Sequence, residues 1–288
     1  MPELPEVETV RRGLKRLIID KEIKKLSHDN PKSFPNYIND VNSFVINAKV
    51  TDVRRRAKVL MIDLSSNYTL VVHLKMTGQL VFRGNISFGA GHPNDSLIGK
   101  LPDRSTRVII SFLDGSKLFF NDQRKFGWMR LIATLEVANI DFIKNLGPEP
   151  LEDNFTSYNF AGRFVRRHRT SIKAAILDQS VIAGVGNIYA DESLWGAKIH
   201  PSRQVDSISS SEFNDLYKEL RSVMNLSIKK GGSTNRNYVN AEGTKGSYMD
   251  FASVFRREGK SCLRCSETIV KIRVASRGTH ICPSCQVL

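Results

Sequence analysis

Cysteine is scarce in this 288-residue chain: four occur, Cys262, Cys265, Cys282 and Cys285, all near the C-terminus. That excludes a disulfide scaffold for most of its length, and nothing suggests the oxidising compartment that one would need. Acidic residues are also in deficit, 29 Asp and Glu against 43 Lys and Arg, for a formal net charge of +14. Such an excess points to a polyanionic partner, most often nucleic acid, because basic side chains displace the counterions around phosphates. An acidic membrane surface would demand a basic amphipathic helix or a lipidation signal, and the sequence offers neither. Apolar runs of membrane-spanning length are missing too, and the start is acidic rather than a basic signal-peptide head. The expectation is a soluble, cytoplasmic protein of two ordinary domains, each with its own core.

What cysteine there is comes in a telling arrangement. The spacing is C-x2-C, sixteen residues, then C-x2-C. Two tight pairs on facing turns can supply four thiolates to one tetrahedral zinc, and this pattern uses every cysteine in the chain.

The chain opens Met1-Pro2-Glu3-Leu4-Pro5-Glu6-Val7-Glu8. A small second residue favours removal of Met1, which would leave Pro2 as an N-terminal secondary amine. With a reference α-amino pKa of roughly 7.7–8.0, part of that amine is neutral and nucleophilic near pH 7. It could attack an aldehyde-like carbon to form an iminium. The competing reading is a plain helix start, two prolines and acids that suit a helix N-terminus. Val7, Val10, Leu14 and Leu17 recur at helical spacing, with Arg11, Arg12, Lys15 and Arg16 toward the end, so a helix is predicted from about Pro5 to Ile18.

From about Lys21 to Ala133 short apolar runs predict strands: Phe44-Val45-Ile46, Val59–Ile62, Leu70–Val72, Val108–Ile110 and Leu118–Phe120, separated by turn signals. Together they suggest an antiparallel sandwich or barrel. Gly84–Asp103 is polar and predicts a mobile surface loop. Residues 134–170, broken by Gly147-Pro148-Glu149-Pro150, read as a link, after which composition shifts toward helices: Ser171–Gln179, Asn187–Gly196, and a third with Phe213, Leu216, Leu220 and Val223 on one face. Ser233–Ser247 has no apolar period and reads as a flexible loop. Asn187 follows Gly184-Val185-Gly186 and would open its helix with free amides, a place for a phosphate, although a lone Gly-x-Gly is a weak signal. Arg54 and Arg55 read as a solvated strand edge. Arg163, Arg166, Arg167 and Arg169 suit backbone binding or a solvated patch equally.

Several motifs in order carry a resemblance to the bacterial formamidopyrimidine-DNA glycosylases, repair enzymes for oxidised purines. They are Pro2–Val7, Arg55-Arg56-Ala57-Lys58, His73–Gly78, Asp122–Gly127, Leu146–Leu151, Gly184–Ala190 and the four-cysteine finger. The resemblance implies an α+β fold: an N-terminal antiparallel β-sandwich with a leading helix, then a helix–two-turn–helix domain ending in a β-hairpin zinc finger. The domains would span 1–133, a linker 134–150, 151–250 with the lesion loop, and 251–288. It implies that Pro2 attacks C1′ of the damaged nucleotide and expels the base, after which elimination cuts the strand on both sides. Glu3 would be the general acid/base, a role favouring an upward-shifted carboxyl. Glu6 would support the cluster, and Lys58 would contact the phosphate beside the lesion. Met76, Arg124 and Phe126 match the residues that refill the stack when the base is extruded, a step chemistry at C1′ requires; without the resemblance, Met76 and Phe126 read as strand core. Lys173, Asn187 and Arg277 match residues at backbone phosphates, and Cys262, Cys265, Cys282 and Cys285 would hold one structural zinc. The implied partner is duplex DNA with oxidised or abasic lesions, bound by a monomer in the bacterial nucleoid.

Two departures stand out: Ser276, where the family usually has Gln before the finger arginine, and Arg104-Ser105-Thr106-Arg107, where many relatives carry histidines. Leu4 favours the purine enzyme over the sister endonuclease for oxidised pyrimidines, whose members usually begin Pro-Glu-Gly-Pro-Glu. A catalytically silent zinc-ribbon DNA binder is the third reading. It would have no need of Pro2, Glu3 and Lys58.

Overall fold

A computed structural model describes residues 1–233 and 247–288, so most of the predicted Ser233–Ser247 loop lies outside the described residues. The chain divides into two units, Met1–Lys144 with Lys230–Ser247, and Asn145–Lys229 with Tyr248–Leu288.

The first unit begins with helix α1 (Leu4–Ile18), whose buried residues include Val7, Val10, Leu14 and Ile18. Acids at its start and Lys15 and Arg16 in its last turn complement the helix dipole. Strand β1 (Ile23–His28) and the short helix α2 (Ile38–Phe44) follow. Then come β2 (Val50–Arg56), β3 (Val59–Leu64), β4 (Tyr68–His73), β5 (Gly78–Arg83), β6 (Ser87–Gly91), β7 (Thr106–Phe112), β8 (Lys117–Asp122), β9 (Trp128–Ala133) and the one-turn helix α3 (Asp141–Lys144). The strands form two antiparallel sheets, ordered β1-β7-β8-β5-β6 and β2-β3-β4-β9. One apolar core joins α1 to both sheets, through residues such as Val10, Leu60, Leu70, Leu80 and Phe120. The expected sandwich with a leading helix is present.

Two local readings are corrected. Phe44-Val45-Ile46 is the end of α2 and its cap, not a strand. Val41 and Val45, four apart and both buried, are a helical pair whose period the contiguous Phe-Val-Ile run concealed. Within Gly84–Asp103, Ser87–Gly91 is a strand paired in register with β5. Phe88 packs where a Cβ on Gly13 of α1 would lie 2.1 Å from its ring. Within the strand, a Cβ on Gly89 would lie 3.0 Å from the Leu97 carbonyl oxygen and one on Gly91 2.5 Å from that of Gly78, and these small residues remove the alternation that marks a strand.

In the second unit, α4 (Ser157–Phe164), α5 (Ile172–Leu177), α6 (Asn187–Gly196) and α7 (Ser210–Lys229) precede the hairpin β10 (Val270–Val274) and β11 (Arg277–Ile281). α4 lies in the stretch read as a link, and its buried Phe160 and Phe164 pack on Phe213 of α7. The buried face of α7 runs through Phe213, Leu216, Leu220, Met224 and Ser227.

Candidate active site and nucleic-acid interface

The start of α1 is buried. Pro2 and Glu3 lie just ahead of the helix, with Glu3 as its N-cap. Glu6 Oε2 accepts the Glu3 backbone N–H at 2.8 Å, and Glu6 Oε1 accepts the Ser233 N–H at 2.8 Å. One buried carboxylate therefore fixes both the first residues and the chain at Ser233.

Lys58, 7% exposed, occupies the two-residue turn Ala57-Lys58 between β2 and β3. Ala57 takes φ 51°, the left-handed region that such tight hairpins demand. Arg55 donates to the Ala57 carbonyl at 3.0 Å and, through Nε, to Glu8 on α1 at 3.1 Å. This ion pair ties the β2–β3 turn to the helix carrying Pro2, Glu3 and Glu6. Burial opposes ionisation of Glu8, but Arg11, Arg12 and Arg55 outweigh it and hold the carboxyl at about 2. Arg55 is thus no solvated edge: its side chain is 12% exposed. Arg54 pairs with Asp63 on β3 instead.

A second group sits on two turns. β4 pairs with β9 in one sheet and β5 with β8 in the other. The turns β4–β5 and β8–β9, each passing from one sheet to the other, must therefore run side by side. The first carries Met76 and the second Arg124 and Phe126. Met76 is 37% exposed and Phe126 53%, so both project from strand ends rather than filling a core. The Arg124 guanidinium lies 4.7 Å from the centroid of the Phe126 ring. In each turn a lysine precedes the apolar residue with a left-handed backbone, Lys75 at φ 49° and Lys125 at φ 57°. Burial pushes His73 down to about 3, with Lys75 and Lys58 adding to the effect. Its neutral Nδ1 accepts the Lys75 N–H at 3.0 Å.

The second unit gathers the remaining residues. Asn187 opens α6 and donates from Nδ2 to the Gly278 carbonyl at 2.9 Å. Arg277, exposed, begins β11 directly after the turn Ala275-Ser276, whose φ values are 49° and 59°. The turn of the hairpin is therefore these two residues. Ser276 occupies a left-handed position and faces solvent. Lys173 departs from a surface role. Its side chain is 0% exposed, and Nζ donates to Asp191 Oδ1 at 2.5 Å and Thr279 Oγ1 at 2.7 Å. A buried ammonium needs such partners, so Lys173 faces the hairpin from within rather than solvent.

Asp191 also accepts the His280 N–H at 2.9 Å, and its neighbour Glu192 accepts the N–H groups of Ser253, Val254 and Phe255. Burial pushes the Glu192 carboxyl above its usual range. The sequence reading missed Glu8, Arg55, Asp191 and Glu192. A signal for the last two is present in the sequence: adjacent acids flanked by Tyr189 and Ala190 on one side and Leu194 and Trp195 on the other. Of the four arginines between 163 and 169, Arg163 donates to Ser180 and Val181 carbonyls and Arg167 pairs with Asp178, so both brace the α5–α6 turn.

The four cysteine sulfurs lie within 4.8 Å of one another. Cys262–Cys285 is 3.9 Å and Cys265–Cys282 3.4 Å. A zinc with Zn–S bonds of about 2.3 Å spaces tetrahedral sulfurs roughly 3.8 Å apart, so the set fits. Burial opposes ionisation of Cys262, but N–H donors from Arg264 and Cys265 bring it down to about 6, whereas burial and neighbouring sulfurs push Cys282 up to about 12. Sulfurs this close ionise together only around a cation.

Residues 1–129 match the formamidopyrimidine-DNA glycosylase N-terminal domain, 146–239 its H2TH domain, and 259–287 the zinc finger found in FPG and IleRS. The chain belongs to the formamidopyrimidine-DNA glycosylase family. The formamidopyrimidine-DNA glycosylase of Herpetosiphon aurantiacus is 42% identical over 288 residues, 99% of this chain and 100% of that one. A Streptococcus pyogenes relative of the same name is 39% identical over 290 residues, covering 99% of this chain and 98% of its own. Among solved structures, a Lactococcus lactis Fpg variant with Fapy-dG-containing DNA aligns with a TM-score of 0.87 at 32% identity over 100% of both chains. A complex of the Lactococcus lactis protein with abasic-site DNA aligns at 0.86, with 32% identity over 99% of this chain and 100% of that one. No helix among the described residues is long and apolar enough to cross a membrane.

Proposed function

We propose that this chain is a base-excision DNA glycosylase for oxidised purines, 8-oxoguanine and formamidopyrimidines, with abasic-site lyase activity through Pro2. The observation that carries the reading is the buried start of α1, tied by Glu8 and Arg55 to the turn that holds Lys58. A helix start with no other task would not need a lysine turn locked beside it.

With Met1 removed, the Pro2 nitrogen bonds to C1′ as the glycosidic bond breaks, and the departing base takes up a proton. The nitrogen loses its proton and the C1′–O4′ bond opens, O4′ taking up a proton, which leaves an iminium between the Pro2 nitrogen and C1′ of the ring-opened sugar. Glu3 moves protons at the sugar, while Glu6 holds the helix start. Abstraction of a C2′ proton expels the 3′ phosphate, and a second elimination expels the 5′ phosphate. Lys58 stabilises the phosphate beside the lesion. Met76 and Phe126 fill the vacated stack and Arg124 hydrogen-bonds the orphaned base. Asn187 and Arg277 bind backbone phosphate, and Lys173 serves by holding Thr279 and Asp191 behind Arg277. Cys262, Cys265, Cys282 and Cys285 hold one structural zinc, which fixes the hairpin.

The test is a cleavage panel of oxidised-purine, oxidised-pyrimidine and abasic duplexes, with borohydride added. Oxidised-purine duplexes will be cut and a covalent protein–DNA adduct trapped, and proteolytic mapping of the adduct will place it on the N-terminal Pro2. An adduct mapped to a lysine side chain would assign the nucleophile elsewhere. A second reading, activity on oxidised pyrimidines, has one observation in its favour: a Lactococcus lactis Fpg complex with oxidised-pyrimidine DNA aligns at a TM-score of 0.85 with 31% identity over 100% of both chains. The pyrimidine arm of the panel decides it.

A further inference from the structure

The two turns that carry Met76, Arg124 and Phe126 meet on one buried carboxylate. Asp122, the last residue of β8, is 0% exposed. Its Oδ1 accepts the Thr77 hydroxyl, from the β4–β5 turn, and the Arg124 N–H at 3.2 Å. Its Oδ2 accepts the Gly127 N–H at 2.6 Å, at the far end of the β8–β9 turn. Thr77 Oγ1 also accepts the Arg124 N–H, at 3.1 Å. A Cβ on Gly127 would approach Asp122 Oδ2 to 3.1 Å and the Phe120 ring to 2.8 Å, so the turn closes this tightly only with glycine there.

The backbone of Asp122 is gripped from the segment whose sequence departs from the family. Its N–H donates to Ser105 O at 2.7 Å, and its carbonyl accepts Arg107 Nε–H at 3.0 Å. Arg107, 4% exposed, pairs in addition with Asp29 and donates to the Arg104 carbonyl. A buried guanidinium holding three partners is a rigid brace.

We propose that Asp122, Thr77 and Arg107 are positioning residues that weld the two turns into a single wedge, so that Met76, Arg124 and Phe126 enter a duplex together. The inference rests on the glycosylase reading above. A side chain that displaces a base works against stacking, and a turn free to recoil would give way. Both turns moreover hold a non-glycine residue in the left-handed region, a strained backbone that persists only where its surroundings overdetermine it. The Asp122 hydrogen bonds supply that constraint at both turns.

The test uses the full-length protein with Thr77→Val, which keeps the shape and loses the hydroxyl, and Thr77→Ser, which keeps the hydroxyl. One readout is base extrusion, followed by the fluorescence rise of 2-aminopurine beside an oxidised purine in duplex DNA. The other is cleavage of a single-stranded abasic oligonucleotide, which needs no wedge. Thr77→Val should slow extrusion about tenfold or more and leave single-strand cleavage unchanged, while Thr77→Ser restores the wild-type rate. Arg107→Lys, acting from the other side of Asp122, should show the same split, and it carries the test if valine unsettles the fold. Equal losses in both readouts, or a Thr77→Val protein indistinguishable from wild type, would overturn the positioning role. A wild-type protein inert on both DNAs would remove the glycosylase reading and the wedge with it.

Discussion

At the scale of single residues, two lysines matched to phosphate contacts have different fates. Lys58 caps a hairpin turn next to the buried helix start, whereas Lys173 is sealed inside its unit against Asp191. Removing one partner of a buried ion pair leaves the other uncompensated, so Lys173→Met should cost about 3–5 kcal/mol in denaturant unfolding. Arg277→Ala, at an exposed hairpin position, should barely alter stability. It should instead lower the salt dependence of DNA affinity by about one unit of the logarithmic slope, the signature of one lost phosphate contact. A Lys173→Met protein of unchanged stability would show that its charge is not sealed. Acid should act through His73 and Glu8. His73 sits at about 3 in the fold against 6.5 ordinarily, and Glu8 at about 2 against 4.5. Both values are depressed, so the unfolded chain binds more protons as pH falls. The His73 contribution is present above pH 6.5 and erodes from there down to about 3, and that of Glu8 erodes from 4.5 to about 2. Thermal melts should show stability falling from pH 6.5, and His73→Asn, which can still accept the Lys75 N–H, should flatten the 6.5–4.5 stretch.

At the scale of elements, helices with one apolar stripe were legible. α1 was placed to within a residue at its start, because its 3.6-residue apolar period and terminal charges leave their mark on sequence, whereas α6, buried nearly all round, was placed by the glycines at its ends, Gly186 and Gly196. The central strands β3, β4, β7 and β8 showed as apolar runs. Less legible were elements whose form follows from a neighbour. β6 is thin in large side chains because Gly89 and Gly91 lie against the Leu97 and Gly78 carbonyls, and α2 hides its period in three contiguous apolar residues. The candidate site divides the same way. Pro2, Glu3, Lys58 and the cysteines announce themselves by residue type and motif. Glu8, Arg55 and Asp122 do their holding through partners 47, 47 and 45 positions away, a distance that local spacing does not encode. The Arg104–Arg107 segment likewise acts through Arg107, whose contacts with Asp122 and Asp29 lie 15 and 78 positions away.

At the scale of the whole molecule, a formal charge of +14 and a zinc-finger domain with four clustered cysteines lead to two expectations. DNA affinity should fall steeply with salt, and chelation of zinc should weaken binding and loosen the C-terminal hairpin, because metal binding and folding are coupled there. A fully demetallated protein that binds lesion DNA normally would show the finger to be incidental. The two adjacent acids of α6 add a further consequence. The amides of Ser253, Val254, Phe255 and His280 donate to side-chain carboxylates on that helix rather than to a sheet or helix ladder of their own. Their hydrogen exchange therefore reports the opening of α6 and not of the segment in which they lie. Deuterium uptake at these four positions should follow the slow amides of α6. Glu192→Ala, which removes both acceptor oxygens, should release the first three and leave His280 protected, so that a single helix sets the clock for residues more than sixty positions along the chain.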